Sequence, residues 1–227
     1  MNSNSTKIFP LGDSALTVDF GSEISADLNQ KAIALSDHFK ENSFAGFIET
    51  VPAYSSATIF YDLIEVRYCF PDFPTAYDAV RSLVENAVME LSETPQVETR
   101  TVEIPVSFSA EDSLDISTVA KDCKLSVDKV IELFTSQTYR VFMLGFLPGF
   151  AYMGEVDERI AVPRHKTPRQ KVAKGSVGIA GRQTGIYSLE SPGGWQIIGR
   201  TDVELFSPDN DPPCFLQPGD SVRFVNY

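Results

Sequence analysis

Glycine placement constrains this 227-residue chain more than any other feature: eleven of its fourteen glycines fall between Gly145 and Gly219. Three Pro–Gly steps, Pro148-Gly149, Pro192-Gly193 and Pro218-Gly219, punctuate the same stretch. Glycine costs a helix about 1 kcal/mol relative to alanine and proline about 3, so no ordinary helix persists there. Short strands joined by tight turns remain, and such strands bury their apolar faces as a closed or nearly closed β-barrel.

The preceding part alternates strands and helices. KIFPLG and SALTVDF read as strands about the Gly12-Asp13 turn. Ser25 is a candidate N-cap for a helix carrying Ile24, Leu28, Ala32, Leu35 and Phe39 on one stripe. GFIETVPAY and ATIFYDLIEV read as two more strands, the latter from its β-branched and aromatic content. A second helix is expected from Pro74-Thr75, with Tyr77, Val80, Val84, Val88 and Leu91 as its apolar stripe. Strand pairs separated by helices imply a small antiparallel sheet with helices on one face. Thr94-Pro95-Gln96 is a candidate linker, giving an N-terminal α/β domain over 1–95 and a β-barrel domain over 96–227. The fold class is therefore α+β. VETRTVEIPVSF, with Val102, Ile104, Val106 and Phe108 on one face, either completes the first sheet or opens the second. Short helices are expected over Ser117–Cys123 and Ser126–Ser136.

Hydrophobic residues at 43% and charged residues at 22% exclude a disordered chain. No apolar run approaches the roughly 18 residues of a membrane span, and MNSNSTKIFP lacks the layout of a secretory signal, so a cytoplasmic protein is expected. Cys69, Cys123 and Cys214 form no CxxC pair and read as free thiols; with only His38 and His165, a histidine-rich zinc site is not expected, and the metal expectation is none.

The net charge of −12 is unevenly spread, with 9 basic and 22 acidic residues before Tyr139 but 10 and 9 from there on. The acidic part would repel a phosphate backbone, which argues against nucleic-acid binding. Arg159 to Arg182 holds seven basic residues and no acid. Such a run is either a solvated loop or a concave site for a carboxylate or phosphate.

No GxxxxGK[ST], GxGxxG or GxSxG arrangement is present, which removes the P-loop, Rossmann and nucleophile-elbow readings. YRVFMLGFLPGFAYMG sets Phe142, Phe146, Phe150 and Tyr152 around a Pro–Gly turn, either as barrel filling or as a wall for a flat ligand. Gly175, Gly178, Gly181 and Gly185 admit either close backbone approach to a ligand or strand bulges and tight packing. Trp195, the single tryptophan, reads as core. His165, between Arg164 and Lys166, is either a base or an exposed bystander. Arg169, Lys174 and Arg182 are the candidates for carboxylate or phosphate contact, by fork or point charge. Gln183 and Tyr187 could add neutral hydrogen bonds, and Tyr152 and Trp195 an apolar wall. No catalytic residue is assigned.

GFLPGFAYMG, TPRQKVAKGSVGIAGRQTGIY, SPGGWQIIGRT and DPPCFLQPGDSVRF, with LGDSALTVDFG and VPAYSSATIFYD before them, resemble the signature blocks of one family. That family comprises small subunits of bacterial ATP-dependent 5-oxoprolinase and is also called allophanate hydrolase subunit 1 or the sporulation-kinase inhibitor family. The resemblance covers nearly the whole chain. It implies an N-terminal α/β domain followed by a cyclophilin-like β-barrel. It also implies a non-autonomous subunit of an ATP-dependent lactam hydrolase that opens 5-oxoproline to glutamate, inactive alone. ATP would serve the assembled complex, and the partners would be an allophanate hydrolase subunit 2-like protein and a further hydrolase subunit. Relatives also suggest two alternatives: a regulator inhibiting a sporulation histidine kinase, or a carboxyltransferase-type subunit of a urea carboxylase-like system. Two departures from the family pattern stand out: Phe134 holds a place where histidine is usual, and Glu155 one where glycine is usual.

Overall fold

A computed structural model describes residues 6–91 and 99–227. The chain divides into two compact units, Met1–Glu98 and Thr99–Tyr227. The expected linker Thr94-Pro95-Gln96 lies outside the described residues.

The first unit opens with β1 (Lys7–Pro10) and β2 (Ala15–Asp19), then α1 (Ala26–Glu41). The Ser25 hydroxyl accepts from the Leu28 amide at 3.2 Å and starts α1, which buries Ala32, Leu35 and Phe39. Ile24 precedes that cap and is exposed rather than part of the stripe. β3 (Phe47–Pro52) and β4 (Ser56–Tyr61) follow. The strand expected over ATIFYDLIEV ends at Tyr61. Asp62 accepts from the Ile64 and Glu65 amides, both at 2.8 Å, and turns the remainder into α2 (Leu63–Cys69). β propensity loses there to a cap. Thr75 and Asp78 bond each other's backbone amides ahead of α3 (Ala76–Leu91). The four strands are antiparallel in the order β1-β2-β4-β3. Leu16, Val18, Ala57, Ile59 and Tyr61 pack with Ala32, Leu35, Val80 and Val84 from the helices.

The second unit begins with β5 (Thr101–Val106), α4 (Ile116–Cys123) and α5 (Val127–Thr135), the last capped by Ser126. Then come β6 (Thr138–Leu144), β7 (Ala151–Gly154), a 3-10 turn Glu158–Ile160, β8 (Arg169–Val172), β9 (Ser176–Ala180) and β10 (Gln183–Ile186). β11 (Ser191–Gly193), β12 (Gln196–Arg200) and β13 (Ser221–Asn226) complete it. β5 runs parallel to β13, so VETRTVEIPVSF opens the second sheet rather than completing the first. Seven strands form one sheet, β12-β9-β10-β7-β6-β13-β5, and β8 pairs separately with β11. Beyond β5, Ser107 exchanges two backbone hydrogen bonds with Arg200 of β12, at 2.8 and 2.9 Å. The sheet is thus curled until its edge strands meet.

Its interior is mainly aliphatic, with Val106, Val141, Met153, Val177, Ile179 and Ile198 among the buried side chains. Phe134 is fully buried there and stacks on Phe224 at 4.8 Å, so the family's usual histidine place is packed as core here. Among the described residues no helix is long and apolar enough to cross a membrane. Cys69, Cys123 and Cys214 are free.

Candidate functional site

Alternation along β9 and β10 sends Val177, Ile179 and Ile186 inward and leaves Gly178 and Gly185 side by side on the outer face. That pair makes a bare stretch of backbone, and aromatic rings occupy it. A Cβ on Gly185 would sit 2.9 Å from the Phe150 ring, and one on Gly178 3.0 Å from the Trp195 Cβ. Of the two readings open for these glycines, the structure provides close packing of rings on the sheet. Phe150 is the hub: its ring meets Phe146, Tyr152, Tyr187 and Trp195 edge to face, with centroids 5.5, 4.9, 5.4 and 5.6 Å away. Phe142, by contrast, is buried against Gly154.

Val172 of the two-stranded β8–β11 flap packs into the same cluster. Gly193 of β11 lies so close to Tyr187 that a Cβ there would approach the hydroxyl to 2.2 Å. Burial pushes the Tyr187 hydroxyl above its ordinary range, opposed in part by a backbone hydrogen bond from Trp195 and by the charges of Arg164 and Arg169. The hydroxyl therefore stays protonated at neutral pH.

A charged network ties the flap down. Asp115, 4% exposed and just ahead of α4, makes no side-chain capping bond to its helix. Its carboxylate instead accepts from the Ile197 amide at 2.6 Å and from Arg169 Nη2 at 2.5 Å. His165 Nε2 lies 3.2 Å from the same carboxylate and 2.8 Å from Arg169 Nη1. One buried carboxylate thus joins β12, the flap and the loop before it. Beside this network the Arg164 guanidinium lies over the Trp195 ring, 5.5 Å from its centroid.

Arg169, Tyr152, Tyr187 and Trp195, all anticipated from sequence, come together here. Their environment differs from an open wall: Trp195 is 5% and Tyr187 1% exposed, and both are packed within the cluster. The accessible ring is Phe146, 60% exposed and held at φ +69°, a left-handed conformation unusual for a bulky residue. Lys174 and Arg182 are set apart. Lys174, in the turn between β8 and β9, bonds Glu204 at 3.2 Å. Arg182, in the turn between β9 and β10, pairs with Glu155 and, at 3.1 Å, with Glu158. Those turns lie at opposite ends of β9, about 15 Å of strand apart. Gln183 begins β10 at the Arg182 end, opposite Gly154 and Ala180. The sequence singled out neither Asp115 nor Arg164 on its own. Asp115 resembles an ordinary cap, and Arg164 is one of seven similar charges.

The arrangement suits holding a small anion beside aromatic carbon. Among the described residues no group of three or more His, Cys, Asp or Glu could hold a metal ion.

A family model described as "Carboxyltransferase domain, subdomain C and D" matches residues 6–216. A Bacillus subtilis (strain 168) protein named as a subunit of 5-oxoprolinase is 44% identical over 220 residues, covering 96% of this chain and 92% of that protein. A protein of the same name from Escherichia coli O157:H7 is 48% identical over 150 residues, covering 66% and 68%. The crystal structure of TTHA0988 superimposes with a TM-score of 0.80 at 34% identity, covering 94% of this chain but 40% of that one. This chain therefore spans about two fifths of TTHA0988. The match across both units places the chain in the carboxyltransferase domain, subdomain C and D family, to which it belongs.

Proposed function

We propose that this chain is a non-autonomous subunit of an ATP-dependent 5-oxoprolinase, which opens the lactam of 5-oxoproline to glutamate. The observation that carries the reading is 44% identity to a 5-oxoprolinase subunit over 96% of the chain. In this reading the curled seven-stranded sheet is a cyclophilin-like barrel, residues 1–95 and 96–227 are separate domains, and the assembly works in the cytoplasm. An allophanate hydrolase subunit 2-like protein and a further hydrolase subunit complete it.

A lactam is a resonance-stabilised amide, so water needs an activated carbonyl, and phosphorylation of the amide oxygen supplies one. This chain's residues do not form a cradle for ATP. Lys174 and Arg182 are paired with Glu204 and Glu155, and Arg169 is engaged by Asp115. The phosphates therefore belong to a partner subunit. This chain's share is binding: the aromatic cluster supplies an apolar side, its cationic rim faces the substrate carboxylate, and protonated Tyr187 keeps that rim free of an added negative charge.

The test is release of glutamate and ADP from 5-oxoproline plus ATP, by the chain alone and by the complex purified with its native partners. Turnover by the complex and none by the chain alone is the expected result. A complex with verified partners and no turnover refutes the reading.

A further inference from the structure

Five of the seven cations between Arg159 and Arg182 already have acids. Arg159 pairs with Asp157, Arg169 with Asp115, Lys171 with Glu190, Lys174 with Glu204, and Arg182 with Glu155 and Glu158. A guanidinium whose donors are spent on a buried carboxylate cannot present its fork to a ligand without breaking that pair. Arg164 and Lys166 have no acidic partner among the described residues, and both are exposed. Arg164 alone of the two lies over the Trp195 ring.

The backbone on both sides of Arg164 is clamped. The Pro163 carbonyl accepts from Gln196 Nε2 at 3.1 Å, and the His165 amide donates to the Gly194 carbonyl at 2.7 Å. Gly194 and Gln196 flank Trp195 in sequence, so both anchors belong to the segment that carries the ring. The side chain thus starts from a fixed point and rests on an aromatic face. Such stacking orders a guanidinium and leaves its in-plane N–H groups for an anion.

We propose that Arg164 is the carboxylate contact of this site, with Trp195 as its platform and the Asp115–Arg169 pair as the brace beneath it. The ligand class is a small cyclic amide bearing one carboxylate, its ring directed toward the exposed Phe146. This rests on the oxoprolinase reading for the identity of the ligand, but the anion contact itself rests on Arg164 and Trp195. Preorganisation is what makes the contact strong, because little side-chain entropy is left to lose on binding.

Trp195 is the only tryptophan, so its emission reports directly on this site. The experiment titrates the full chain with 5-oxoproline and with 2-pyrrolidinone, which keeps the lactam and lacks the carboxylate, and repeats both on Arg164→Gln and Arg164→Lys. It also measures KM and kcat of the native complex carrying each variant. Expected are a Trp195 response to 5-oxoproline with at least tenfold weaker binding of 2-pyrrolidinone. Arg164→Gln should abolish that preference and raise KM at least tenfold with little change in kcat, and Arg164→Lys should restore part of it. Turnover by an Arg164→Gln complex at the wild-type KM overturns the inference and leaves the oxoprolinase reading standing. An inactive wild-type complex, with the chain still preferring the carboxylate through Arg164, refutes the oxoprolinase reading and keeps the anion contact. No Trp195 response of the wild-type chain to 5-oxoproline overturns the inference.

Discussion

On the inner face of the seven-stranded sheet, Met153, Val177, Ile179 and Ile186 interlock as aliphatic core. On the outer face of the same strands, Gly178 and Gly185 carry no side chains, and rings centred on Phe150 lie against the bare backbone. Both faces are dry, but they are held differently. Aliphatic packing is non-directional and spread over many small contacts. The outer cluster depends on a few edge-to-face rings, a flap and one buried carboxylate, so a single substitution reaches further. Rigid aromatic surface with a charged rim is also what a binding site needs, and aliphatic core is not.

The sharpest way to break the outer face is Asp115→Ala. It leaves Arg169 without its partner and the Ile197 amide without its acceptor, with an expected loss of about 3 kcal/mol. Urea unfolding followed by Trp195 emission measures it, and a loss below about 1 kcal/mol, the net worth of one ordinary hydrogen bond, would show that the flap is held by something else.

A matched pair comes next. Gly185→Ala places a methyl 2.9 Å from Phe150 and 3.0 Å from the Ala151 carbonyl, with an expected cost of about 2 kcal/mol. Ile179→Val removes one buried methylene from the inner face, with an expected cost of about 1 kcal/mol. Trp195 emission of the folded protein should shift in the first variant and stay unchanged in the second. Equal shifts in both would mean that the two faces are not separate packing units.

The smallest effect is expected at Arg182→Ala, which removes exposed pairs with Glu155 and Glu158 and should change stability by less than about 0.5 kcal/mol. A larger loss, read by the same unfolding curve, would extend the sensitive region to the far end of β9.

Local features were legible wherever a short-range interaction decides the outcome. Ser25 and Ser126 start their helices as their chemistry implies, and the alternation of Val102, Ile104 and Val106 makes a strand with that face inward. ATIFYDLIEV misled because its composition favours a strand throughout, while a single Asp62 side chain caps two amides and starts a helix. The basic run misled in another way. Composition shows seven cations and no acid between Arg159 and Arg182, yet the acids that pair with them lie outside that interval or across the sheet.

The sequence by itself therefore determined that the chain is α+β, that glycine and proline exclude long helices after Gly145, and that aromatic and cationic residues concentrate in one segment. Periodicity, caps and turns act over a few residues, and a linear reading can follow them. The tertiary structure alone decided which cations face acids, that Gly178 and Gly185 form a floor for Phe150 and Trp195, and that Asp115 braces the flap 54 residues away. Those outcomes depend on strand register and sheet curvature, which bring together residues whose separation along the chain carries no trace of their contact.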